Sequence, residues 1–171
     1  FTNNSATNEE RGILLSTASS SIIQNNTFSN NSNMGISITG LSNNNVVVSN
    51  NVLNNTNYGI NIDTSHNTSV SNNTIINNSY GVYVVTGSNN TFSYNRILNS
   101  SSFGLFLQSS SNNNTVINNN VSANFSIGQN TVAGIAVGAS HNNTIYNNSV
   151  SVAINGIFLN NSALQNNVTN N

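Results

Sequence analysis

The chain has no cysteine and only five charged residues in 171, two basic and three acidic. Without cysteine there is no disulfide framework and no thiolate metal site. Two basic residues cannot build the patch that a nucleic-acid surface needs, so a nucleic-acid partner is excluded. No apolar run approaches the roughly 20 residues of a membrane span, and no secretory leader pattern is present. Charged residues are 3% of the chain, against about a quarter in ordinary globular domains. Low charge with many polar residues is also the composition of disordered tracts. Disorder is rejected because Val, Ile, Leu and the aromatics recur in register.

What is there is asparagine, 45 residues of it, with Ser and Thr together about another quarter of the chain. Glycine boxes mark a repeat. They are Gly12-Ile13-Leu14-Leu15, Gly35-Ile36-Ser37-Ile38, Gly59-Ile60-Asn61-Ile62, Gly81-Val82-Tyr83-Val84, Gly104-Leu105-Phe106-Leu107, Gly134-Ile135-Ala136-Val137 and Gly156-Ile157-Phe158-Leu159. Differences between successive glycine numbers are 23, 24, 22, 23, 30 and 22. A second column keeps the same beat: Asn26, Asn51, Asn73, Asn95, Asn119, Asn148 and Asn167. Each follows an apolar residue three places earlier: Ile23, Val48, Val70, Phe92, Val116, Ile145 and Leu164. Two columns in phase over seven units predict about seven coils of one solenoid.

A step of 22 to 24 residues is shorter than the roughly 30 of a strand-helix-strand unit, and the Asn, Ser and Gly content disfavours helix. Three short strands joined by tight polar turns fit. The glycine box is the first strand, with Gly+1 and Gly+3 pointing inward and Gly+2 outward. The second holds the apolar residue before the Asn column. The third holds Phe28, Leu53, Ile75, Ile97, Val121 and Val150. One coil cannot bury these residues alone. Stacking at about 4.8 Å gives three parallel sheets around a shared core. The recurring Asn is expected to turn the chain in left-handed conformations and to form a hydrogen-bonded ladder. Residues 1–11 are expected to cap the solenoid or end a preceding coil, and 12–171 to form it. The long step places a loop insertion at 122–130. The chain starts and stops within the repeat pattern, so a fragment or processed product is expected.

This pattern resembles the right-handed parallel β-helix repeats of the pectin-lyase-like superfamily, nearest the NosD-like, carbohydrate-binding and sugar-hydrolase type. The unit S-N-N-T-F-S-Y-N-R-I-L-N-S-S-S-F-G-L-F-L, Ser88 to Leu107, carries the likeness, which extends over nearly everything from Gly12. The resemblance implies a fold shared by polysaccharide lyases and hydrolases, sugar epimerases, phage tailspikes and Asn-rich microbial surface proteins. The composition is most similar to the last group.

Candidate chemistry is sparse. Hydrolysis of polysaccharides normally calls for paired carboxylates, but Glu9 and Glu10 adjoin outside the repeats and Asp63 stands alone. Asp63 is read as a turn carboxylate near Arg96. No enzymatic activity is therefore expected. His66 and His141 share one turn column three coils apart, about 14 Å at the sheet spacing, too far to share a metal ion. With Met34 the single methionine, no metal site and no cofactor are expected, and the histidines are read as turn residues. Tyr58, Tyr80 and Phe103 precede glycines on three successive coils and are expected to stack inside or at a corner. Tyr83, Phe106 and Phe158 occupy the outward Gly+2 column and are the candidate glycan or partner face. About sixteen N-x-Ser/Thr sequons occur, among them Asn54, Asn67, Asn77, Asn99, Asn113 and Asn124, as candidate N-glycosylation sites.

The expectation is an extracellular structural or adhesive protein of a microbial surface, a stiff rod or filament. Its expected partners are copies of itself or cell-surface polysaccharide, with covalent N-glycans. The alternative is a carbohydrate-binding or carbohydrate-processing module.

Overall fold

A computed structural model describes residues 1–124, 132–152, 154–160 and 162–171. The chain is a right-handed parallel β-helix of about seven turns with three strands per coil. Each of its three sheets has seven strands, and each strand pairs with the equivalent strand of the neighbouring coil. Sheet A runs from Ile22–Gln24 to Asn167–Thr169, sheet B from Ser5–Thr7 to Ser149–Val152, and sheet C, the glycine boxes, from Arg11–Ser16 to Asn155–Asn160. No helix of the described residues is long and apolar enough to cross a membrane.

At the A–B and B–C corners a single left-handed residue turns the chain. Asn25, Asn72, Asn118 and Asn147 have φ between 53° and 56°, and Ser49 and Tyr94 take the same place at 56°. A single left-handed residue bends a strand of sheet A into a strand of sheet B, and asparagine adopts that conformation at low cost. Asn30, Asn54, Asn77 and Asn99 do the same between sheets B and C; the wider C–A corner adds a second left-handed residue ahead of the Asn, such as Thr64 before Asn67 and Thr86 before Asn89. The Asn pairs thus divide their work. The first residue turns the chain; the second faces inward and bonds.

That second residue forms the ladder. At the A–B corner it runs through Asn26, Asn50, Asn73, Asn95, Asn119, Asn148 and Asn171. In each step the Oδ1 of one Asn accepts both the backbone N–H and the Nδ2–H of the Asn in the preceding coil. Asn73 Oδ1, for example, takes Asn50 N at 2.9 Å and Asn50 Nδ2 at 3.0 Å. The other amide hydrogen of Asn73 reaches the carbonyls of Val47 and Ser71. These buried amides are fully paired, as burial requires.

Two expected members of this column are corrected. Asn51 is exposed at the start of a sheet B strand, and Asn50 holds the ladder position. The residues around it shift by one as well: Val47 and Val52, not Val48 and Leu53, are fully buried. The cause is a degenerate stretch: Val47 to Asn50 and Val48 to Asn51 both keep the apolar-to-Asn spacing of three, and the turn at Gly40 and Leu41, both left-handed (φ 67° and 61°), is one residue longer than that of the neighbouring coils. The apolar-to-Asn spacing of three occurs twice in the last coil. Leu164 is 58% exposed, whereas Val168 pairs with Ile145 and Asn171, not Asn167, completes the ladder.

The core is a set of like-on-like stacks. Ile23, Val47, Val70, Phe92, Val116 and Ile145 line sheet A; Phe28, Val52, Ile75, Ile97 and Val121 line sheet B; all are fully buried. The glycines let sheet C approach this filling. A Cβ on Gly59 would lie 2.6 Å from Ile75 Cγ2 and 2.6 Å from the Gly81 carbonyl, so no side chain fits. Ahead of Gly12, Thr2 bridges Gln24 of sheet A and Ser5–Thr7 pairs with Thr27–Ser29 of sheet B. The expected insertion at 122–130 lies mostly outside the described residues.

Candidate functional site

Alternation breaks at each glycine box. In the strands from Tyr58 to Phe103 both the glycine and the residue after it are buried, while the residues before the glycine and at Gly+2 and Gly+4 face outward in most coils. Pairing between neighbouring coils skips the glycine: Tyr80 pairs with Phe103 and Val82 with Leu105. Two successive inward positions flip the parity of everything before them. Tyr58, Tyr80 and Phe103, expected inside or at a corner, therefore lie on the outer face beside Tyr83 and Phe106.

Five rings meet there. Tyr58 lies 5.1 Å from both Tyr80 and Tyr83, ring centre to ring centre. Tyr80 is 5.3 Å from Tyr83 and 5.7 Å from Phe103. Phe106 is 5.8 Å from Tyr83 and 4.6 Å from Phe103. All these distances fall in the range of favourable aromatic pairs. The rings are half-buried, so each keeps an exposed part. Phe158 stands apart: in the same column Ala136, fully buried, lies between it and Phe106.

Polar groups border the rings. Tyr83 donates its hydroxyl to Gln108 Oε1 at 2.6 Å. Asn61 pairs in register with Tyr83, and Asp63 with Val85. Burial raises the Tyr80 and Tyr83 phenols above the ordinary tyrosine value; the Tyr58 hydroxyl adds to both, and Tyr80 and Asp63 add to Tyr83. Asp63 accepts from the Thr64 hydroxyl at 2.7 Å. It does not lie with Arg96, which opens a strand of sheet B, whereas Asp63 closes one of sheet C.

The histidines serve the backbone. His66 Nδ1 accepts from Ser88 N at 3.0 Å, and His141 Nδ1 accepts from Leu164 N at 3.2 Å. In the same column Asn43 Oδ1 accepts from His66 N, and Asn112 Oδ1 from His141 N. The imidazoles stand where other coils use a carboxamide or hydroxyl. Among the described residues no three His, Asp or Glu gather to hold a metal ion.

The candidate sequon residues Asn54, Asn67, Asn77, Asn99 and Asn113 are all exposed left-handed corner residues, and Asn124 is exposed beyond the strand Asn120–Ala123. Asn77 donates to Asn54 Oδ1 and Asn99 to Asn77 Oδ1, so three of these side chains form a surface ladder. A separate shallow groove of about 520 Å³ runs along the A–B corner past Tyr94, Asn118 and Asn147. It holds no carboxylate and no histidine.

The five-ring site was half legible. Tyr83 and Phe106 follow from simple alternation, but Tyr58, Tyr80 and Phe103 do not. The available signal was the glycine itself, whose lack of a side chain marks an inward position beside another inward position.

Solved structures of similar fold include alginate and mannuronan epimerases and a phage tailspike domain. A mutant of the periplasmic alginate epimerase AlgG aligns with a TM-score of 0.78 at 22% identity, over 92% of this chain and 37% of that one. The A-module of the Azotobacter vinelandii mannuronan C-5 epimerase AlgE6 aligns at 0.54 and 18% identity, over 91% and 55%. The enzymatically active domain of tailspike protein 2 of bacteriophage CBA120 aligns at 0.61 and 13%, over 92% and 25%. The chain therefore spans little more than a third of the AlgG structure it matches. No curated protein matches the sequence. The expectation of a non-enzymatic chain, drawn from the missing carboxylate pair, is corrected by these likenesses. The solenoid is one that epimerases use, and a hydrolase's acid pair is not a test for every polysaccharide enzyme. A family model described as periplasmic copper-binding protein (NosD) matches residues 1–128, and the chain belongs to that family.

Proposed function

We propose that this chain is a carbohydrate-binding module of a polysaccharide-processing protein outside the cytoplasm. The observation that carries this is the five-ring outer face of sheet C. Sugar rings have apolar C–H faces and hydroxyl rims, so they suit aromatic faces bordered by amides and carboxylates. Here Tyr58, Tyr80, Tyr83, Phe103 and Phe106 supply the faces, and Asn61, Asp63 and Gln108 the hydrogen-bonding groups. The rings cover three successive coils, about 10 Å along the axis, enough for two sugar units. A flat sheet face leaves both ends open, so a polymer can pass through. The epimerase likenesses support this reading over a passive surface rod, and the words "periplasmic" in the family description and in the AlgG name support the location.

Copper does not enter the proposal. The two histidines are three coils apart and spend Nδ1 on backbone amides. Met34 lies at the outward position before Gly35, in the strand Met34–Thr39 of sheet C, in register with Tyr58. These residues do not fit a copper centre.

The test is glycan binding by the intact chain. Tyr83→Ala and Phe106→Ala are each expected to weaken binding at least tenfold, by about 1.4 kcal/mol or more. Asn118→Ala, in the corner groove, is expected to leave it unchanged. Binding unaffected by either ring substitution would defeat the proposal.

A further inference from the structure

The chemistry around the five rings selects the charge of the glycan. The chain has two residues of Lys or Arg, and neither serves the ring face. Arg96 opens a strand of sheet B. Arg11 does share the column of Tyr58 on sheet C, but two coils away, about 10 Å at the sheet spacing. It is also held by Glu10 at 3.0 Å. That separation is about one screening length at physiological salt, so the pair offers little attraction to a ligand on the rings. His66 lies three residues beyond Asp63, and its Nδ1 accepts a backbone hydrogen bond, which requires an unprotonated nitrogen. It adds no positive charge while that bond stands.

Against these stands one carboxylate at the edge of the rings. Asp63 closes the strand that carries Tyr58 and Asn61. It sits two residues past Asn61, the register partner of Tyr83. Among the described residues its carboxylate takes one hydrogen bond, from the neighbouring Thr64 hydroxyl, and no cation pairs with it. The remaining groups at the rim are neutral amides and phenols, with burial and Asp63 both holding Tyr83 in its uncharged form.

From this arrangement we infer that the face takes a neutral, hydroxyl-rich polysaccharide and rejects polyuronates. A polyuronate carries a carboxylate on every sugar, so a chain laid across three coils would set two or more negative charges beside Asp63 with no cation to meet them. Like charges in this position are unfavourable, and partly buried ones more so. The uncharged glycan meets only hydrogen-bonding partners. This sets the chain apart from the alginate and mannuronan epimerases it resembles in fold, whose named substrates are polyuronates. The inference rests on the carbohydrate-binding reading above.

The experiment is titration calorimetry with two sets of probes at physiological ionic strength. One set is neutral hexasaccharides (gluco-, manno-, galacto- and xylo-); the other is hexamers of mannuronate and galacturonate, with chelator present. At least one neutral hexamer is expected to bind ten times or more tightly than either acid, and Tyr83→Ala is expected to abolish that binding. Asp63→Asn, which removes the charge and keeps a hydrogen-bonding group at that place, is expected to raise binding of the acids severalfold and so to narrow the preference for the neutral glycan. Thr64→Ala, which removes the partner of Asp63 and keeps the charge, is expected to leave the preference in place. Acid hexamers that bind as tightly as the neutral ones, and lose binding with Tyr83→Ala, would overturn the charge selection but leave the ring face as a glycan site. No binding by either set would overturn both.

Discussion

The A–B corner and the outer face of sheet C are built by the same seven coils under opposite rules. At the corner each coil supplies the same residue in the same geometry, from Asn26 to Asn171. On the face the Gly+2 column reads Leu14, Ser37, Asn61, Tyr83, Phe106, Ala136 and Phe158, with no residue type in the majority. A corner amide has its partners fixed by the coils above and below, so any other residue leaves buried donors unpaired. An outward side chain on the face has no such obligation and can vary coil by coil. Repetition therefore marks what holds the solenoid, and its local loss marks where the molecule can do something particular. The aromatic cluster on coils three to five is the largest such departure.

Substituting within one Asn pair gives the largest effect and the sharpest test of this contrast. Asn73→Ala removes the acceptor of two buried donors on Asn50 and strands the carbonyls it served. Each unsatisfied buried group costs about 1–3 kcal/mol, so a loss of at least about 3 kcal/mol is expected in denaturant unfolding. The neighbouring Asn72→Ala keeps the ladder and meets only the left-handed strain of a non-Asn residue, about 1 kcal/mol. Equal losses for the two would contradict the division of labour within the pair.

The B–C corner offers the reverse experiment. Its ladder runs from Asn31 through Asn55 to Asn78 and then meets Ser100. The Ser100 hydroxyl is buried without a partner. Asn55, Asn78 and Ser100 occupy equivalent places, their side-chain tips 3.0–3.1 Å from where a Cβ would stand on Gly35, Gly59 and Gly81. Ser100→Asn is expected to extend the ladder by one rung and raise stability by about 1 kcal/mol. A loss would mean that the corner in coil four has no room for an amide. By the same logic His66→Asn is expected to change stability by less than about 0.5 kcal/mol, because Asn43 and Asn112 already fill that column.

These comparisons also locate what could be read from the residues and what could not. The solenoid, its three strands and its corner amides follow from spacing, because a one-residue slip would turn a buried stack outward. The slip that did occur, Asn51 for Asn50, came where Val46-Val47-Val48 and Asn50-Asn51 repeat the same residue types and a two-residue turn at Gly40-Leu41 adds one position. Spacing alone does not separate such neighbours; the count of left-handed residues in the turn does. The aromatic face was read only in part for a related reason. Strict alternation puts Tyr80 and Val82 on one side, and the doubled inward position at Gly81 and Val82 puts them on opposite sides. Chemistry was the least legible level. The missing carboxylate pair bears on hydrolysis and does not extend to other reactions of polysaccharides.

The smallest expected effect ties the face back to the fold. Burial and neighbouring groups raise the Tyr80 and Tyr83 phenols in the folded chain, while in the unfolded chain they titrate near the ordinary value of about 10. Their contribution to stability is therefore complete below pH of about 10 and is lost as pH rises through the folded values, because the unfolded state gives up protons first. Both groups are only partly buried, so the effect is screened and modest. The melting temperature is expected to fall as pH goes from about 9 to 11, and to fall less in the Tyr80→Phe, Tyr83→Phe double variant, which has nothing to ionise at these positions. The turn variant Asn72→Ala should keep the wild-type slope. If the double variant matched the wild type across this range, the two phenols would be titrating as freely as in the unfolded chain, and the rings would be looser than their 5.3 Å contact implies. A loose set of rings would also bind sugar less well, since each would have to be ordered on binding, so the alkaline slope measures how far the face is built in advance of its ligand.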